Sequence, residues 1–240
     1  MAVTKQIPPG YTPHIGESRQ YWRDIILGLN DGLVSIFLLV VGVVSGGLGR
    51  GEVLLTATAG AIAGAVSMAA GEYLATKSQD EVLEAELTLE RTHIAQFRDL
   101  EMAQLRDFFT DMGVSEDSLD DVLSGFEDND EALLNAMAAL EFGVVDSERR
   151  SPFLAMAASG LLFLIGSVPP VAPFIIAESV TVGLVWATIL SLLGLFAVGV
   201  VKARVASGSW ARSGLENLIV AGVGGVLAWG IGYLFGTTVT

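Results

Sequence analysis

Five long apolar stretches constrain what this chain can fold into more than any other feature. A helix that crosses a bilayer needs about 20 predominantly apolar residues. Stretches of that kind occupy residues 25–48, 53–71, 152–168, 179–201 and 218–239. In hydrocarbon each backbone N–H and C=O must find its partner inside the segment, so such stretches become helices. The sequence therefore predicts an all-α membrane protein with five transmembrane helices. Pro169, Pro170 and Pro173 are expected to end the third span near Val168 and to form the turn to the fourth.

Composition agrees with this reading. The chain of 240 residues is 52% hydrophobic and 17% charged, with a mean hydropathy of +0.58, whereas soluble domains carry about 25% charged residues. That excludes a wholly soluble protein and a disordered one. The net charge of −14 speaks against nucleic acid as a partner, because phosphate binding needs a basic face. With no cysteine there is no disulfide framework, thiolate metal site or cysteine nucleophile.

The charge is segregated. Residues 78–148 hold 20 acidic and 3 basic side chains, and the rest of the chain holds 7 and 10. The expected organisation is an N-terminal segment at 1–24, spans one and two at 25–77, an acidic helical insert at 78–148, and spans three to five at 151–240. Lys5, Arg19 and Arg23 precede the first span, Arg149 and Arg150 the third, and Lys202, Arg204 and Arg212 the fifth; Arg50 alone lies between the first two. This distribution predicts a cytosolic N-terminus, a cytosolic insert and an outer C-terminus. The first 24 residues carry Pro8, Pro9 and Pro13 and no apolar h-region, so they read as cytosolic chain rather than signal peptide, with a short amphipathic helix over 16–24.

Three helices are expected in the insert. The first continues from the second span to about Asp111. A short second helix, capped by Ser115 or Asp117, carries Leu119, Val122, Leu123 and Phe126. A third follows Asn129, with Asp130 and Glu131 favoured in its first turn by the helix dipole.

Several residues could carry chemistry. Asp31 lies inside the first span, in Gly28-Leu-Asn-Asp-Gly32. A carboxylate at that depth marks a cation or proton site; nearer the end of the span it would only reach interfacial water. Met68 and Glu72, at i and i+4, stack a thioether and a carboxylate on one helix face, a combination suited to softer divalent metals. Met68 taken alone reads as packing ahead of ligand; its pairing with Glu72 and Asp31 is what favours a cation path. Gly28/Gly32 and Gly60/Gly64 permit close helix approach without being diagnostic.

On the insert's first helix, Glu86, Glu90, His93, Glu101 and Gln104 fall within about 80° of arc at 100° per residue. Leu83, Leu87, Ile94, Phe97 and Phe108 fall in a sector that overlaps it, from about −20° to +60° with Glu90 at 0°. Charges on a packing face are costly unless paired or metal-bound. Met137 and Glu141 repeat the i, i+4 pairing on the third helix. Together Glu90, His93, Glu101, Gln104, Met137 and Glu141 would suit a divalent transition metal. The alternative is a solvated acidic helix. The 3 Lys against 10 Arg also match a protein adapted to a high-salt cytoplasm, which would explain the bulk acidity but not carboxylates on a packing face.

The segments Asn30-Asp-Gly-Leu-Val-Ser-Ile-Phe37 and Ala63-Gly-Ala-Val-Ser-Met-Ala-Ala-Gly-Glu-Tyr73 resemble the hallmark segments of the vacuolar iron transporter family. The order of spans and insert is similar too, from about residue 20 onward. The resemblance implies a homodimer in membrane lipid with an ion path at the protomer interface. It implies export of Fe²⁺, or of Mn²⁺ and related ions such as Co²⁺ and Zn²⁺, from the cytosol in exchange for protons. It puts Asp31, Met68 and Glu72 on the path, and a metal site on Glu90, His93, Glu101, Gln104, Met137 and Glu141. His93 and Gln104 stand where the family typically has Glu, so this chain offers two neutral donors in place of anions.

The leading expectation is thus a divalent metal/proton antiporter, with metal as cargo and no tightly bound cofactor. The composition and the missing organelle signal favour a prokaryotic plasma membrane. The rival is a membrane-anchored metal buffer or sensor, which would not need Asp31 and Glu72. A membrane enzyme is disfavoured: the only histidines are His14 and His93, and no paired Glu-x-x-His motifs of the di-iron type occur.

Overall fold

A computed structural model of the protein describes residues 18–143, 150–206 and 208–238. The expectations at Lys5, His14, residues 16–17, Arg149, the end of the insert at 144–148 and the tip of the fifth span lie outside the described residues. Among the described residues the chain is helical and contains no strand. In order come α1 (Ser18–Ser45), α2 (Arg50–Gln96), α3 (Arg98–Asp111), α4 (Glu116–Ser124), α5 (Asp130–Glu141), α6 (Pro152–Val171), α7 (Pro173–Ile176), α8 (Val180–Val205) and α9 (Trp210–Thr238).

Five of these, α1, α2, α6, α8 and α9, are long and apolar enough to cross a membrane. Helix α2 has 47 residues, about 70 Å at 1.5 Å per residue, more than twice a hydrocarbon core of roughly 30 Å. Its apolar part, residues 53–71, suffices to span; the remainder is polar.

The chain divides into two compact units. The first comprises Met1–Ala70 and Met156–Thr240. Its core is built from Ile36 and Val40 of α1, Val53, Ala57, Ala61 and Ala65 of α2, Phe163 of α6, Phe174 of α7 and Ala187 of α8. Helices α1 and α6 touch backbone to backbone. A Cβ on Gly32 would lie 2.1 Å from the Phe163 carbonyl oxygen, and one on Gly166 would lie 2.3 Å from that of Leu29. Small residues permit such crossings in lipid, where packing rather than water exclusion drives association. Helix α9 packs on α1 and α8 and leaves Ile219, Val226 and Leu227 exposed, as a lipid-facing helix does.

One expectation for this unit needs correction. Helix α6 does not stop at Val168 but runs to Val171, with Pro169 and Pro170 inside its last turn. Two prolines there cost only two backbone bonds, and the turn is closed beyond them by Ala172 N–H donating to Val168 C=O at 2.8 Å. The connection to α8 is made by α7 and residues 177–179, where the Ser179 hydroxyl caps α8 by accepting from the Val182 N–H.

The second unit, Gly71–Ala155, gathers the polar end of α2 with α3, α4 and α5. Its core is Leu87, Ile94, Leu105, Leu123, Leu133, Leu134 and Met137. Asn129 caps α5 by accepting from Ala132 N–H at 3.0 Å. Ser115 precedes α4, but its hydroxyl pairs with that of Ser118 instead of the backbone. Within α4, Leu119 and Leu123 are buried and Val122 is exposed. The continuous helix expected to Asp111 is broken: α2 ends at Gln96, and Phe97 leaves helical geometry at φ −134°, ψ 35° before α3 begins.

Candidate metal centre and intramembrane cavity

The break at Phe97 creates the chemistry of the second unit. Glu90 and Glu101 are eleven residues apart, which on an unbroken helix is about 16 Å along the axis, too far to share an ion. With the chain turned at Phe97, Glu90, His93 and Glu101 bring their ligand atoms within 4.8 Å of one another. His93 Nδ1 lies 3.5 Å from Glu101 Oε1 and 3.9 Å from Glu90 Oε2. Glu90 is 3% exposed and Glu101 6%.

Two oxygens of this cluster, Glu90 Oε1 and Glu101 Oε2, are buried without a hydrogen-bond partner. Burying a carboxylate unsatisfied is costly, and the group responds. Burial first, then the charges of Glu101 and Glu141, push the Glu90 carboxyl from 4.5 up to about 7. Two carboxylates and an imidazole form an N,O donor set that suits divalent first-row metals.

The other expected members stand differently. Glu141, at the end of α5, is exposed yet close enough for its charge to act on Glu90. Met137 is fully buried among the apolar residues of the unit. Gln104 is half-buried on α3. Glu86, from the same arc, is exposed.

In the first unit, Asp31 lies six residues after Ile25, where the apolar stretch of α1 begins. That is about 9 Å along the helix, inside the apolar part of α1. It accepts a hydrogen bond from the Ser35 hydroxyl at 3.0 Å. A cavity of about 440 Å³ is lined by Asp31, Ser35, Ile36 and Leu39 of α1, Gly60, Gly64, Ser67 and Met68 of α2, and Phe163 of α6. Gly64 lets the Phe163 ring close against α2: a Cβ there would sit 2.4 Å from that ring. A carboxylate, a thioether and two hydroxyls thus share one intramembrane cavity.

Glu72 does not line this cavity. It belongs to the second unit, where it pairs with Arg150 at 3.6 Å, both groups largely buried, beside the Tyr73 and Phe153 rings at 5.2 Å. Sequence reasoning did not single out Ser35, Ser67, Phe163 or Arg150's pairing. Ser35 stands four residues after Asp31, the helical spacing that would have flagged it; the other three depend on tertiary contacts.

The model of the VIT family matches residues 22–233, which takes in both the cavity and the carboxylate cluster. The chain belongs to the VIT family. Relatives in the family include "Vacuolar iron transporter 2" of Oryza sativa subsp. japonica, 27% identical over 87% of this chain and 85% of its own length. "Vacuolar iron transporter 1" of Tulipa gesneriana is 26% identical over 86% and 84%. "Protein CCC1" of Saccharomyces cerevisiae is 26% identical over 86% of this chain and 66% of its own length. As a VIT-family chain with five apolar helices, this is a membrane protein. The vacuolar names lend no support to the expected prokaryotic plasma membrane.

Proposed function

We propose that this protein is a secondary transporter that moves divalent transition-metal cations, Fe²⁺ foremost, out of the cytosol in exchange for protons. The observation that carries the reading is the cavity in which Asp31 and Met68 meet, because a buffer or sensor has no need of a carboxylate within a span. The names of the relatives support iron as cargo. Mn²⁺, Co²⁺ and Zn²⁺ suit the same donors. The metal is substrate, and no resident cofactor is proposed.

In the mechanism, the acidic second unit faces the cytosol and raises the local cation concentration. Glu90, His93 and Glu101 capture the ion, with Glu141, Gln104 and Met137 beside them. Glu72 receives it by exchange with Arg150, and Asp31 and Met68 carry it through the membrane. Protonation of carboxylates on the return step couples the cycle. A second copy of the chain covers the cavity: Asp31 and Ser35 are exposed on a single protomer, and a charge facing lipid is costly.

The test is metal entry and opposing proton flux in sealed liposomes. Asp31→Asn is expected to abolish both. Flux retained by Asp31→Asn would overturn the path, and binding without any flux in the wild type would favour the buffer or sensor.

A further inference from the structure

The Phe97 break has little of its own to hold it. On one side Phe97 N–H donates to His93 C=O at 2.7 Å; on the other Leu100 N–H donates to Phe97 C=O at 2.8 Å. Each bond finishes its own helix, and neither sets the angle between α2 and α3. That angle decides whether Glu101 meets Glu90 and His93. Apolar packing of Leu105 with the α5 leucines holds α3 down but is non-directional.

Arg98 supplies direction. It is the first residue of α3, next to the break and three residues before Glu101. Its guanidinium donates through Nη2 to Phe126 C=O at 2.8 Å and through Nη1 to Asp130 Oδ1. Those acceptors sit before α5 and on its first residue. A planar fork on two acceptors, one of them a backbone carbonyl, restrains orientation as well as distance. Resting on the reading of Glu90, His93 and Glu101 as a metal site, we propose that Arg98 is a positioning residue that locks the Phe97 hinge and holds the three donors together before the cation arrives.

A second arginine of α3 provides the comparison. Arg106 pairs with Asp120 and Glu116 on α4, so it staples α3 to another helix and acts on neither the hinge nor α5. If an arginine on α3 only adds stability, the two should behave alike.

The experiment is Co²⁺ titration of the full-length protein in detergent, followed by visible absorption, with thermal unfolding of the metal-free form alongside. Arg98→Ala is expected to weaken Co²⁺ binding about 10-fold, the lower end of what is lost when outer-shell support of a metal ligand is removed, and to alter the ligand-field band. Arg98→Lys should recover part of the affinity, and Asp130→Asn should weaken it with the fold intact. Arg106→Ala should lower the unfolding temperature and leave affinity and band unchanged. Wild-type affinity and band in both Arg98→Ala and Asp130→Asn would overturn the proposal, as would an equal loss of affinity in Arg106→Ala. Unchanged binding by Glu90→Gln/Glu101→Gln would remove the site itself, and the role of Arg98 with it.

Discussion

Glu90 carries the clearest consequence at the scale of single residues. Its carboxyl titrates near 7 in the folded chain against 4.5 unfolded. Between those values the folded state binds more protons, so the metal-free second unit loses stability as pH rises from about 4.5 through 7. Glu90→Gln removes that loss. It should raise the metal-free unfolding temperature at pH 8 and change it little at pH 4, as differential scanning fluorimetry across pH would report. Metal requires the deprotonated carboxylate, so wild-type affinity for Mn²⁺ should climb steeply between pH 6 and 8 in an isothermal titration. His93 makes a separate prediction. An imidazole favours Co²⁺ and Zn²⁺ over Mn²⁺ relative to a carboxylate. His93→Glu should therefore narrow the affinity gap between Zn²⁺ and Mn²⁺, measured by competition.

Elements show where sequence reading succeeds and where it stops. The five spans were legible because a run of apolar residues longer than a bilayer has few alternatives. The cap at Asn129 was legible because a side-chain acceptor before an acidic first turn has one obvious use. The break at Phe97 was not: no glycine or proline marks it, and the apolar and acidic periodicity reads straight across. The helical wheel put Glu90 and Glu101 on one face, yet only the break makes them neighbours. The prolines of α6 misled in the other direction, since a proline in a last turn forfeits little. Close packing of elements also orders a pair of mutants. Gly32→Ala meets the backbone of Phe163, whereas Gly60→Ala meets the tip of the Leu39 side chain. Gly32→Ala should be the more destabilising, by about 1–3 kcal/mol for an overpacked contact, and Gly60→Ala should be milder, as unfolding midpoints in detergent would reveal.

For the whole molecule, the division of labour follows the division of charge. An apolar unit holds a carboxylate with a thioether in a cavity, and an acidic unit holds buried carboxylates whose unsatisfied oxygens call for a cation. Segregation of charge was visible in composition, but the placement of Glu72 was not, because its pairing with Arg150 joins segments far apart in the sequence. A lone protomer leaves Asp31 exposed, so the native assembly should have twice the 25.2 kDa chain mass; light scattering of the detergent-solubilised protein at the chain mass alone would contradict that. On the proposed function, the protein captures divalent metal and carries it past Asp31 against protons. The most direct test is simultaneous recording of an internal Fe²⁺ indicator and an internal pH dye in sealed proteoliposomes, for wild type, Asp31→Asn and Glu90→Gln/Glu101→Gln. Fe²⁺ entry with opposing proton movement is expected in the wild type, loss of both in Asp31→Asn, and slower entry at low Fe²⁺ in the double variant. Fe²⁺ entry that persists in Asp31→Asn, or that proceeds with no proton movement, would contradict that function.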